Sequence, residues 1–184
     1  MSVIRIGLVR HLPVGMGMPS GLLTARDLIT WRDSYDVAEI VNARMDRHDV
    51  TWARCISSDL PRAVRTAQQL YDGPIEQTPL LREPHVAEFS TGNLRLPATM
   101  WHWVLRASWM IGHKSQQTAR DEFRARMSEL EQTVLAPNDI DTLIVSHAGV
   151  MLFMRSMLLR LGYSGPAFRM AAHGRLYLFE RDVR

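Results

Sequence analysis

The chain has 184 residues, 46% hydrophobic and 22% charged, the size and profile of one ordinary folded domain. Its net charge of +3 comes from 22 basic residues, almost all arginine, and 19 acidic ones; they interleave, as in Arg120-Asp121-Glu122-Phe123-Arg124, which argues against a nucleic-acid-binding stripe. No apolar run approaches the roughly 18 residues of a membrane span, no apolar leader follows Met1, and the lone Cys55 allows no internal disulfide, so a cytoplasmic protein without membrane or nucleic-acid partners is expected.

The short apolar run Val3 to Val9, rich in β-branched residues, predicts a buried strand ending at Arg10-His11. Pro13, Gly15, Gly17, Pro19 and Gly21 then mark a loop. Thr24 with Asp27 is a capping pair for a helix through Leu28, Ile29 and Trp31 to the Asp36 region. Thr51 to Ser57 predicts a second strand, with Ser58 or Asp59 as a helix cap and Pro61 in the helix's first turn. That helix carries Ala63, Val64, Ala67 and Leu70 on one face. Ile75 to Pro79 reads as a weaker strand, and Leu94 to Leu135 as two helices broken near Gly112. Thr142 to Val145 is a strand entering Ser146-His147-Ala148-Gly149, followed by an apolar helix from Val150 to Leu161. Phe168 to Ala172 and Arg175 to Phe179 read as a final hairpin turning at His173-Gly174. Cys55 lies in the second strand and reads as a small buried hydrophobe.

Strands alternating with helices predict an α/β domain with a mostly parallel sheet, and the last hairpin adds one antiparallel strand. Ligands of such sheets sit beyond the carboxyl ends of the strands. Arg10-His11, Ser57 to Arg62 and Ser146-His147 all fall there. These residue types suit phosphoryl transfer. Arginine's planar fork binds phosphate oxygens, and a neutral imidazole can attack phosphorus in line. Nearby arginines help keep that imidazole neutral.

Leu8-Val9-Arg10-His11 resembles the Arg-His motif of the histidine phosphatase superfamily. Ser57-Ser58-Asp59-Leu60-Pro61-Arg62 with Thr66-Ala67 resembles its second motif, Leu81-Arg82-Glu83 its acid-bearing segment, and Ser146-His147-Ala148-Gly149-Val150 its last motif. The four occur in the family's order. The resemblance implies a three-layer α/β/α fold of the phosphoglycerate mutase-like type. It would be a single domain over residues 1–184, with a helical insertion around 94–136. It further implies that His11 takes the phosphoryl group, that Arg10 and Arg62 clamp the phosphate, and that His147 stabilises the transition state. Glu83 would protonate the leaving oxygen and then activate water, and backbone N–H groups near Ala148 would add an anion site.

The expected activity is therefore metal-independent, cofactor-free hydrolysis of a phosphorylated small molecule or a phosphoprotein. A mutase, a phosphohistidine protein phosphatase and a non-catalytic phosphate-binding module are the rivals. The chain is short for the insertions of a mutase, and its oligomeric state stays open. Leu12-Pro13-Val14 stands where the family carries Gly, Glu and Thr, and Met16-Gly17 where a further phosphate contact is usual, so the pocket is expected to be one donor short. Glu88 rivals Glu83 as the acid.

Other residues read as structural. His85, His102, His113 and His173 lack metal-ligand spacing and are expected at the surface or at caps, with His113 placed to approach a substrate. Trp101, Trp103 and Trp109 are expected as helix core before a substrate platform. Met151, Met154 and Met157 belong to a buried helix face, and Arg65 to a helix surface.

Overall fold

The structure, a computed structural model, describes residues 2–41, 43, 45, 50–84, 91–136 and 140–183. Five strands form one sheet in the order β4-β3-β6-β1-β7. They are β1 (Ser2–Arg10), β3 (Arg54–Ser58), β4 (Ile75–Thr78), β6 (Thr142–Ser146) and β7 (Leu176–Val183). The first four run parallel, and β7 lies antiparallel to β1 with Val9 opposite Leu176. A two-residue ladder joins β2 (Leu22–Leu23) to β5 (Leu96–Pro97), an element too short to leave a sequence pattern. The long helices are α1 (Ala25–Val37), α2 (Pro61–Leu70), α3 (Ala98–Ile111), α4 (Gln117–Thr133) and α5 (Ala148–Arg160).

The period-2 alternation of strands builds the layers. Leu8, Ile56 and Ile144 point to one side, against Phe123, Met127 and Leu130 of α4 and Met151, Met154 and Met157 of α5. Val9, Cys55, Leu143 and Val145 point to the other, against Ala63 and Ala67 of α2. The result is the expected three-layer α/β/α arrangement. Gly7 of β1 has no room for a side chain, because a Cβ there would lie 2.5 Å from the Trp52 ring. Cys55 is a core residue, and burial pushes its thiol up to about 12. No described helix is long and apolar enough to cross a membrane.

Local signals acted as read in several places. Thr24 and Asp27 form a complete capping box, and Gly112, at φ +71°, ends α3 in the left-handed conformation that glycine adopts without cost. Two expectations fail. The cap of α2 is Leu60, without a side-chain bond, because Asp59 instead pairs bidentately with Arg82 at 2.7 and 2.5 Å. The terminal hairpin does not form either. Phe168 to Ala172 is irregular, since its polar groups are drawn to β1: the Ala171 carbonyl accepts from Arg10, and His173 bridges to Arg10 in parallel. The antiparallel partner of β7 is therefore β1.

The three tryptophans divide. Trp101 is fully buried and donates Nε1–H to the Leu23 carbonyl at 2.6 Å. Trp109 packs edge-on against Phe123 and Phe153, whereas Trp103 is exposed, a departure from the expected core role. Because β6 lies between β3 and β1, the carboxyl ends of these three strands sit side by side, with Arg10 in register with Ser146.

Candidate active site

His11 follows β1 directly and is 4% exposed. Its N–H donates to the Ser146 carbonyl at 3.0 Å, and its Nδ1 lies 2.7 Å from the Leu12 carbonyl. A carbonyl only accepts, so Nδ1 carries the proton and Nε2 holds the ring's lone pair. Leu12 is fully buried and its N–H donates to Thr66 Oγ1 at 2.9 Å, which ties this turn to α2.

Arg62, in the first turn of α2, stands between two imidazoles. Its Nε–H points at His11 Nε2 at 3.3 Å and its Nη2 at His147 Nδ1 at 3.4 Å. The guanidinium can only donate, so Nδ1 of His147 accepts and its Nε2–H donates to Ser58 Oγ at 3.0 Å. The rings of His11 and His147 are 5.0 Å apart. Arg62 also pairs through Nη1 with Asp36 at 2.7 Å and stacks over the Tyr35 ring at 5.2 Å. Residues 36, 62 and 147, far apart in sequence, thus converge on His11.

Arg10 donates Nη1–H to the Ala171 carbonyl at 2.9 Å, while its buried Nε has no partner among the described residues. Glu83 is anchored by the Gly149 N–H, which donates to its Oε1 at 3.0 Å. A Cβ at 149 would lie 2.5 Å from that oxygen, so a side chain there would displace the carboxylate. The α5 N-terminus begins at Ala148, as expected of an anion site, but one of its N–H groups is already committed to this carboxyl. Glu83 is exposed to solvent. Desolvation by the protein packed beside its carboxyl raises it above the ordinary range, against the Gly149 bond and the charges of Arg10, Arg62 and Arg106. Glu88, the rival acid, and His85 lie outside the described residues.

The site histidines are held neutral. Burial pushes His11 down to about 3, opposed by its bond to Leu12 and helped by Arg62, His173 and Arg10. Burial, then His11 and Arg62, lowers His147 as well. A lowered folded-state value means that below about pH 6.5 the unfolded chain binds protons the folded chain does not. Stability should therefore fall on acidification from about pH 6.5 toward 3, by up to about 1.4 kcal/mol per pH unit for each such histidine. Denaturant melts at pH 7.5 and 5 should show a smaller acid loss for His11→Gln than for the unaltered chain; equal losses would contradict this.

Four participants escaped the sequence reading. Asp36 and Tyr35 reach Arg62 only through the packing of α1 on α2, and Ser58 gained its role from His147. His173, expected at the surface or at a cap, is half-buried with its ring 5.1 Å from that of His11. Its place after an irregular segment left no local signal. His113 is exposed, and its Nδ1 accepts from the Ser115 N–H at 3.3 Å. Arg65 pairs with Glu39. Among the described residues, no three His, Cys, Asp or Glu side chains gather as metal ligands would. A depression of about 460 Å³ between α2 and β4, lined by Val64, Gln68, Tyr71 and Ile75 among others, contains none of the site residues.

Comparison with known proteins gives a family and a fold. The profile of the histidine phosphatase superfamily, branch 1, matches residues 34–182. An Escherichia coli str. K-12 substr. MG1655 structure assigned as an alpha-ribazole-5'-P phosphatase is 18% identical, with a TM-score of 0.55, and covers 95% of this chain and 89% of its own. The alpha-ribazole phosphatase from Shigella flexneri gives 18% identity, the same shares and a TM-score of 0.50. At that identity both likenesses concern the fold, which is phosphoglycerate mutase-like. No curated protein sequence matches the chain. The profile match begins after Arg10-His11, so the place of that pair rests on β1 and its neighbours. By the profile match and the fold, the chain belongs to the histidine phosphatase superfamily, branch 1.

Proposed function

We propose that this chain hydrolyses phosphate monoesters through a phosphohistidine formed on Nε2 of His11. The observation that carries the reading is the lone pair of a buried, neutral imidazole facing the donors of Arg62, with a second imidazole 5.0 Å away. An entering phosphate would take over the Arg62 donors now spent on His11 and His147, which frees the attacking lone pair. The Nε of Arg10, unpartnered among the described residues, offers a further donor.

In the first step Nε2 of His11 bonds to phosphorus and the ester P–O bond breaks, with the leaving oxygen taking a proton from Glu83. In the second, the Glu83 carboxylate takes a proton from water as that water attacks phosphorus. The P–N bond breaks, and inorganic phosphate leaves with His11 neutral and Glu83 protonated. The desolvation that favours the protonated carboxyl suits the first step.

The test is a rapid quench with a ³²P-labelled aryl phosphate. An acid-labile, alkali-stable label on His11 supports the reading, and turnover is expected to persist with chelator present. Phosphate binding without turnover would favour a binding module instead. Glu83→Gln should lower kcat/KM by about 10²–10³ for an alkyl phosphate but by less than about tenfold for a nitrophenyl ester, whose leaving group needs little protonation. Equal losses would move the acid role elsewhere, with Glu88 first in line.

A further inference from the structure

His173 meets the nucleophile from the segment that leads into β7. Its Nδ1 lies 2.6 Å from the His11 carbonyl oxygen, and since a carbonyl only accepts, Nδ1–H is the donor. The two rings stand nearly edge to face, at 66°. The surrounding segment fastens Arg10, the residue before His11. Gly174 N–H donates to the Arg10 carbonyl at 2.9 Å, and the Ala171 carbonyl receives the Arg10 guanidinium at 2.9 Å. Gly174, at φ +68°, lets the chain turn from this contact into β7.

The polar atoms of His11 can now be counted off. Its N–H is held by Ser146, its Nδ1–H by Leu12 and its carbonyl by His173. Nε2 alone remains to react. The carbonyl bond is the one of these three supplied by a side chain outside β1 and β6. In-line attack tolerates little displacement, and an error of about 1 Å can cost about 100-fold in rate.

We infer that His173 is a positioning residue: by holding the His11 carbonyl through Nδ1–H, it fixes the backbone from which Nε2 is aimed at phosphorus. The inference rests on the phosphohistidine reading above. It separates two jobs. Arg10 and Arg62 bind phosphate whether or not His173 is present, whereas the rate of phosphoryl transfer to His11 depends on it.

The experiment compares the unaltered chain with His173→Phe, which keeps a ring but has no donor, and His173→Asn, whose amide N–H can stand where Nδ1–H stood. Thermal melts set a temperature at which all three are folded. Single-turnover phosphorylation by an aryl phosphate and affinity for inorganic phosphate are then measured. His173→Phe should phosphorylate about 10- to 100-fold more slowly, with phosphate affinity within about threefold, and His173→Asn should recover most of the rate. Unchanged phosphorylation in His173→Phe would overturn the positioning role and leave the reading of His11 intact. Equal loss of rate and of phosphate affinity in both variants would also overturn it, by showing a general structural role. An unaltered chain that forms no phosphohistidine would overturn both claims.

Discussion

His11→Ala is expected to lower kcat/KM for an aryl phosphate by at least about 10³, the scale on which loss of a covalent nucleophile is felt. The substitution is close to a clean deletion of function. Alanine keeps the N–H that bonds Ser146 and the carbonyl that accepts from His173, so the main chain at the end of β1 stays anchored. What disappears is the imidazole, with the Nε2 lone pair facing Arg62. Affinity for inorganic phosphate should remain within about tenfold, because the donors of Arg10 and Arg62 are untouched. Steady-state kinetics and phosphate-binding calorimetry together check this. Turnover within tenfold of the unaltered chain would mean that another group attacks phosphorus.

Arg62→Ala should damage both binding and chemistry, by about 10²–10⁴ in kcat/KM. Among the described residues, no other side chain spans both imidazoles while being steered by a carboxylate: Arg62 reaches His11, His147 and Asp36 at once and is only 4% exposed. Its removal strips the phosphate of donors and leaves the Asp36 carboxylate facing the site. Arg62→Lys restores the charge but not the planar fork whose Nε and Nη2 each face one imidazole, so it should recover less than a tenth of the activity. A fully active lysine variant would show that Arg62 acts only as a point charge. Measuring phosphate affinity beside kcat separates this variant from His11→Ala, where binding persists.

The order of strands and helices was legible because its signals are local. The β-branched runs of β1 and β6 alternate into two core faces, Thr24 and Asp27 cap α1, Pro61 opens α2, and Gly112 divides α3 from α4. The Arg-His, serine-arginine, acid and last-motif segments were also legible, because each sits at or just after a strand end, where a parallel sheet exposes side chains. The structure brings His11, Arg62 and His147 together as that logic required.

Sequence by itself thus determined the α/β class, the order of the main strands and helices, and the segments that meet at the carboxyl ends of the strands. Tertiary structure alone decided how they are aimed. Asp36 meets Arg62, Gly149 holds Glu83, and His173 holds the His11 carbonyl across 162 positions of chain. It also replaced the expected terminal hairpin by pairing β7 with β1 and turning Ala171 and Gly174 toward Arg10. The physical reason is range. Caps, breaks and strand periodicity depend on neighbours within a few residues, whereas a hydrogen bond between distant segments is set by the packed sheet and leaves no periodic trace in either partner.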